Sequence, residues 1–162
     1  MGSAESNELL IRRLYEAFDQ GDGEAMAACY APTATFRDPV FGELTGEQAG
    51  TMWRMFTSRP GDLRVELAGH EATGDVGSAH WIARYTFEPT GRWVENDIKA
   101  SFRFAEGRIV EHIDRFSFWT WARQALGPLG LVLGWTPLLP LVLRRKVRRD
   151  LDRFARGEPV EL

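Results

Sequence analysis

Ile11, Leu14, Tyr15 and Phe18 recur at i, i+3, i+4 and i+7, the single apolar stripe of an amphipathic helix. Ser6 or Asn7 is placed to cap its start, and Gly21 to end it. Asp22 can cap a second helix over residues 23–30 that Pro32 stops. Thr33 to Asp38 then reads as a short strand, with Val40 to Leu44 as its continuation or partner past Pro39. Thr45-Gly46-Glu47-Gln48 fits a capping box with Gln48 at its third position, and Ala49, Met52, Trp53 and Phe56 restore the helical stripe. Arg59-Pro60-Gly61-Asp62 closes that third helix.

Beyond this point the apolar period changes from 3.6 to 2. Leu63, Val65 and Leu67 alternate with polar residues, and Trp81, Ala83, Tyr85 and Phe87 share one face of a second run. Asn96, Ile98, Ala100, Phe102 and Phe104 share one face of a third; Val110, His112, Asp114, Phe116 and Phe118 share one face of a fourth. Turn signals at Gly74-Asp75, Pro89-Thr90-Gly91 and Ala105-Glu106-Gly107 separate the runs by spacers short enough for antiparallel neighbours. Helices first and an antiparallel meander second predict an α+β domain: a cone-shaped, curved sheet, mainly antiparallel, whose concave face wraps the N-terminal helices. Such a cone leaves part of its interior for a ligand.

With 162 residues the chain suits one domain with a substantial core plus an appendage, divided here as 1–118 and 119–162. Aromatic residues make up 12% of it, including six tryptophans, which fill a core or line a cavity. The net charge of −3 hides an asymmetry. Residues 1–143 hold 13 Lys and Arg against 19 Asp and Glu, whereas 144–162 hold 7 against 4. An acidic body without a basic stripe argues against nucleic acid as a partner. Cys29 alone can form no intrachain disulfide and, without a Cys/His spacing around it, no zinc site; its apolar surroundings suggest a core thiol. No phosphate-cradling glycine loop, dinucleotide fingerprint or nucleophile elbow is present, so no metal or cofactor is expected. The first ten residues show no secretory pattern, which makes a cytoplasmic protein the expectation.

The order of a helix with YEAFDQGD, a helix, YAPTATFRDPVFGELTG, a helix and then strands ending in FRFAEGRIVEHID spans residues 7–118. It resembles the nuclear transport factor 2-like superfamily, in its SnoaL-like and ketosteroid-isomerase-like branch. The resemblance implies the cone fold, a homodimer paired through the convex sheet face, and an activity drawn from isomerases, cyclases, hydrolases or non-catalytic binders. It matches Asp38, in Phe36-Arg37-Asp38-Pro39-Val40, to the proton-shuttling base of the ketosteroid isomerases. The positions of their two oxyanion donors read Leu14 and Ala100, so both donors are missing; Tyr15 lies one residue out of step, about 100° around the helix. The resemblance also implies an acid/base role for an acidic or histidine residue on the last strand.

On the residues themselves, His112 and Asp114 lie two apart on an apolar strand face and both point into the cone if the period holds. Polar groups on a core face need partners, and a functional pocket is one reason to keep them. The structural alternative pairs Asp114 with Arg115 or Arg123 and leaves His112 a satisfied core residue. Asp38 is either a turn aspartate holding amides around Pro39 or a buried base raised toward neutrality among Trp53, Trp81 and Phe116. Tyr15 and Asn96 are candidate donors to a substrate oxygen, while Phe18, Phe56 and Tyr85 complete the expected lining. His70 and His80 fall on the outer surface.

Leu126 to Leu143 is a run of eighteen uncharged residues, broken by Gly127, Pro128, Gly130, Gly134, Pro137 and Pro140, which makes a poor spanning helix. It either folds back as a lid or dimer cover over the pocket mouth, or lies in a membrane interface, peripherally, over 126–149. Arg144, Arg145, Lys146, Arg148 and Arg149 would then meet anionic headgroups. Val147, Leu151 and Phe154 form a stripe that favours packing on the body. Two functions fit the whole: an acid/base isomerase, cyclase or hydrolase with Asp38, His112 and Asp114 acting on a small hydrophobic molecule, or a non-catalytic module that holds such a ligand or assembles with a partner.

Overall fold

The protein is described by a computed structural model covering residues 3–59 and 61–160. Met1, Gly2, Pro60, Glu161 and Leu162 lie outside the described residues, Pro60 being part of the predicted stop of the third helix. The elements run α1 (Ser3–Asp19), α2 (Gly23–Ala28), β1 (Tyr30–Asp38), β2 (Gly42–Thr45), α3 (Gly46–Thr57), β3 (Arg64–Thr73), β4 (Val76–Phe87), β5 (Arg92–Ala105) and β6 (Arg108–Arg115). Three helices follow: α4 (Phe118–Leu126), α5 (Pro128–Leu133) and α6 (Leu138–Ala155). The strands form one open, mixed sheet in the order β2-β1-β6-β5-β4-β3, in which β1 and β6 are parallel and all other neighbours antiparallel. This is the predicted α+β arrangement.

Several local expectations need correction. The first helix begins at Ser3, so neither Ser6 nor Asn7 caps it. Asn7 is instead buried, and its Nδ2 donates to Gly74 O at 2.9 Å, tying α1 to the β3–β4 turn. The second helix ends at Ala28, and Pro32 lies inside β1 instead of stopping a helix. The sheet accommodates it through an irregularity: Tyr30 pairs with Ile109 but Thr35 with Glu111, so β1 carries extra residues there and the missing N–H of Pro32 breaks no ladder bond. A second irregularity between Arg103 and Phe104 sets Phe104 opposite Ile109 and Phe102 opposite His112. Ile109, not the predicted Val110, is therefore the buried companion of His112 and Asp114. The last strand also ends at Arg115, and Phe118 opens α4.

Where a capping signal was strong, the local structure follows it. Thr45 Oγ1 accepts from Gln48 N at 3.2 Å and Gln48 Oε1 accepts from Thr45 N at 3.0 Å, the reciprocal pair that starts α3. Asp22 caps α2 by accepting from Ala25 N.

The main core lies between the concave sheet face and α1, α2 and α3, with Ile11, Leu14, Met26, Phe36, Met52 and Ile109 among its sealed side chains. A smaller cluster of Val94, Trp121, Ala122 and Ala125 docks α4 on β5. Leu151 and Val160 bring the C-terminal segment into the main core, and Leu143, Val147 and Phe154 pack against it. Arg144 and Arg148 hold α6 over the β1–β2 turn. Arg144 donates to Pro39 O and Val40 O at 3.4 Å each, and Arg148 to Phe41 O at 3.0 Å and to Glu43 O. Gly42, in that turn, has φ of +72°, and a Cβ there would meet the Arg144 guanidinium at 3.1 Å. The conformation favours glycine here, and a larger residue would also press on the arginine lying over it.

Candidate active site

The parallel pairing of β1 with β6 sets Phe36 beside His112, and α3 lays Trp53 over both. His112 is completely buried, with rings of Tyr30, Phe36, Trp53 and Phe102 around it at centroid distances of 4.4 to 6.4 Å. In such surroundings every polar atom must be matched. The matching is directional, because an indole N–H can only donate. Trp53 Nε1 donates to Tyr30 Oη at 3.0 Å, which frees the tyrosine proton for His112 Nδ1 at 2.7 Å. His112 then carries its hydrogen on Nε2 and donates to Asp114 Oδ1 at 2.9 Å, and Trp81 Nε1 donates to the same oxygen at 3.4 Å. Both indoles aim inward, so the tautomer follows from the hydrogen-bond count. Asp114 Oδ2 has no partner among the described residues. Asp114 does not pair with Arg115 or Arg123, the partners that the structural alternative gave it.

Tyr15 completes this group from α1. Its ring lies 5.2 Å from Trp81, and its hydroxyl is buried with no hydrogen-bond partner among the described residues. Burial raises its pKa well above the phenol value, and the nearby charge of Asp114 adds to the rise. Tyr30 is raised in the same way, first by burial and then by Asp114, against the opposing hydrogen bond from Trp53. A buried unpaired hydroxyl is destabilising by about 1–3 kcal/mol. A ligand oxygen that accepted the Tyr15 proton would recover that.

Asp38 ends β1, half-buried beneath α6. Its Oδ1 accepts from Val40 N at 2.9 Å and Phe41 N at 2.6 Å, the turn predicted around Pro39, while Oδ2 takes no hydrogen bond from the described residues. Its pKa is pushed up to about 7, chiefly by desolvation and further by the charge of Asp114; the two amides and Arg144 oppose the rise without cancelling it. Turn residue and raised carboxyl, set out as alternatives on the sequence, are therefore properties of one side chain. Cys29 behaves as a core thiol, pushed up to about 11 by burial.

The predicted lining divides. Phe18 stands edge-on to Trp53 at 5.1 Å and near Trp81 at 5.8 Å, inside the group. Phe56 is at the rim, against Phe41 and Trp53. Tyr85 does not join: its hydroxyl accepts from Trp121 Nε1 at 2.9 Å and so anchors α4. Asn96 faces Ala83, four residues along β5 from Ala100, which is the residue opposite Asp114. At a strand rise of about 3.3 Å per residue that separates it by about 13 Å. Phe116 is half-buried and packs against both clusters. Tyr30 was missed because it stands where the second helix was expected to end; reading β1 back through Pro32 would have aligned it with the β6 residues. His80 pairs with Asp97 at 3.0 Å on the exposed face, as expected. A surface concavity of about 330 Å³ lies around His70, His80 and Lys99, away from His112 and Asp114. Among the described residues no group of three His, Cys, Asp or Glu converges to hold a metal ion.

A model of the SnoaL-like domain matches residues 11–112. The chain belongs to the SnoaL-like domain family. The SnoaL-like match runs from α1 to His112 and stops short of Asp114 and of α4 to α6. Solved structures share the fold at low identity. An M. tuberculosis LEH-like epoxide hydrolase is 18% identical, with a TM-score of 0.66 over 84% of this chain and 99% of that one. A ketosteroid isomerase-like protein from Catenulispora acidiphila, in complex with trimethylamine, is 16% identical with a TM-score of 0.65 over 79% and 97%. TsrD from Streptomyces laurentii is 19% identical with a TM-score of 0.64 over 78% and 99%. No curated protein matches the chain in sequence.

Proposed function

We propose that this SnoaL-like protein is an acid/base enzyme of the isomerase, cyclase or hydrolase kind, acting without a cofactor on a small hydrophobic molecule that carries an oxygen function. The observation that carries the reading is the unpaired Tyr15 hydroxyl, buried beside a carboxylate whose Oδ2 is also unpaired. Tyr15 would donate to the substrate oxygen. Asp38, its carboxyl near neutrality, would take or return the proton, since a base works best with a pKa close to the operating pH. Asp114 would be the second carboxyl, held by His112 and Trp81; Tyr30 and Trp53 act through His112 as positioning residues.

This arrangement also offers a counterpart to the donors that the ketosteroid-isomerase resemblance found missing. Ala100, where a carboxyl was expected, lies directly opposite Asp114 in the β5–β6 ladder. Cross-strand neighbours have Cβ atoms about 5 Å apart, so the carboxyl function is moved by one strand rather than lost. The hydroxyl expected at Leu14 is supplied by Tyr15.

A test is turnover of two panels by the purified protein: hydrophobic epoxides in oxygen-18-labelled water and enolisable cyclic ketones in deuterium oxide, read by mass spectrometry. Label should enter one panel, and Asp38→Asn and Asp114→Asn should each lower the rate by about 10²–10⁴-fold. A panel compound processed at the same rate by both variants would remove the assignment. The complete burial of His112 among Tyr30, Phe36, Trp53 and Phe102 favours one second reading, a binder that sequesters an apolar ligand. Native mass spectrometry showing an unaltered ligand retained through purification, with no turnover of either panel, would establish that reading instead.

A further inference from the structure

The outer side of the C-terminal segment inverts the usual surface pattern. Leu129 and Val132 on α5 are 68% and 69% exposed, Trp135 in the following turn is 75% exposed, and Leu138, Leu141 and Val142 open α6 exposed as well. This orientation is built in. Gly130 faces α4 so closely that a Cβ there would lie 1.8 Å from Ala122 O, which fixes the opposite side of α5 outward. On α6, Leu143, Val147, Leu151 and Phe154 pack inward. Leu138, Leu141, Val142, Arg145 and Arg149 fall within about 100° of one another on the other side, at 100° per residue. No helix among the described residues is long and apolar enough to cross a membrane.

Four of the cations of α6 divide by what they touch. Arg144 and Arg148 are spent on the carbonyls of the β1–β2 turn. Arg145 and Arg149 are exposed, make no ion pair with the described residues, and continue the apolar stripe by one and two turns. Arg123 adds a third cation at the edge, over Trp119 at 5.0 Å, and Trp119 lies 5.2 Å from Trp135. Of the acids of α6, Asp150 is buried against Lys146, and Asp152 comes only beyond Arg149.

An apolar tip, an indole pair and flanking arginines make the complement of an anionic bilayer surface. We infer that the outer face of α5 and the first half of α6 is a peripheral docking surface for membranes bearing anionic phospholipids. Leu129, Val132, Trp135, Leu138 and Val142 enter the boundary of the acyl region, about 5–10 Å deep, while Arg145 and Arg149 meet headgroup phosphates. The inference stands apart from the proposed catalysis, and its test requires no activity.

The experiment is co-sedimentation of the full chain with phosphatidylcholine vesicles that contain or lack phosphatidylserine, over a series of salt concentrations. Partition onto the phosphatidylserine vesicles, weakened by salt, is expected. Arg145→Gln with Arg149→Gln should weaken it about thirtyfold, at about fivefold per cation. Val132→Ser with Trp135→Ser should abolish it, with an unchanged melting temperature confirming that both double variants fold. Absence of partition onto either vesicle would overturn the inference. So would light scattering that shows an oligomer dissolved by the serine variant, because the surface would then join two copies of this chain.

Discussion

The inner face of β6 and the outer face of the α5–α6 segment are opposites that break the same rule. His112 and Asp114 put polar groups where no water reaches, while Leu129, Val132 and Trp135 put apolar groups where water is everywhere. The two exceptions are tolerated differently. The buried pair survives through its partners: two indoles, a phenol and the imidazole form one directed chain ending on Asp114 Oδ1, so removing Tyr30 or His112 leaves a neighbour unmatched. The exposed patch needs no hydrogen-bond partner, and removing Leu129 or Val132 strands no polar group. Substitutions on the two faces should therefore separate stability from binding.

The largest effect belongs to His112→Ala. It opens a hole among four rings, strands the Tyr30 hydroxyl proton and leaves Asp114 with Trp81 alone. Breaking a buried pair by removing one partner is destabilising by about 3–5 kcal/mol. Urea unfolding of the variant measures this. A loss below about 1 kcal/mol would mean that the network is not tightly coupled, and the comparison between the faces would fail on its buried side.

Asp38 stands between the two faces, half-buried below α6, and its signature is a pH dependence. With a folded pKa of about 7 against an ordinary 3.8, the native state holds the proton more tightly than the unfolded chain. The contribution of this group to stability is thus full below about pH 4, declines as pH rises toward 7, and is constant above. Asp38→Asn keeps an oxygen for the Val40 and Phe41 amides but cannot titrate. Relative to wild type, the variant should gain about 2–4 kcal/mol between pH 4 and pH 8, somewhat under the full 1.4 kcal/mol per unit because the group is only half-buried. Paired unfolding curves at the two pH values decide it. A difference that did not vary with pH would place the folded pKa near its ordinary value and take away the case for Asp38 as a base near neutrality.

How much of this was legible in the sequence depended on which kind of signal carried it. The stripe of α1, the capping box at Thr45 and the alternation in β4 and β5 are local patterns, and the structure follows them. So is the alternation that placed His112 and Asp114 on one buried face. What failed was register. The sheet irregularities at Pro32 and Phe104 depend on which strand lies beside which, and they moved Tyr30 into the site and exchanged Val110 for Ile109. Tyr85 and Asn96 were placed on the correct strands, but the docking of α4 claimed the tyrosine and distance along the strand removed the asparagine. The tail was posed as lid or membrane segment. Its inner side holds the β1–β2 turn, and the opposite side of the same helix carries the proposed docking surface. A helix has two faces, and the sequence alone did not assign them separately.

The smallest expected effect tests that division of α6 most sharply, because it compares two arginines three residues apart. Arg148 donates to Phe41 O and Glu43 O and so pins the helix on the β1–β2 turn; Arg145 makes no hydrogen bond or ion pair with a described residue. A charged donor on a carbonyl is worth about 1.5–3 kcal/mol when buried and less when partly wet, so Arg148→Ala should be destabilising by about 1–2 kcal/mol. It should also speed proteolysis within 138–155, since α6 would detach more often. Arg145→Ala should leave unfolding unchanged within about 0.5 kcal/mol. It should nonetheless lose more vesicle binding than Arg148→Ala, although both variants give up one positive charge. If the two lost vesicle binding equally, net charge rather than the face of the helix would govern attachment. If the two lost stability equally, Arg148 would not be what holds α6 in place, and the packing of Val147 and Leu151 alone would hold it.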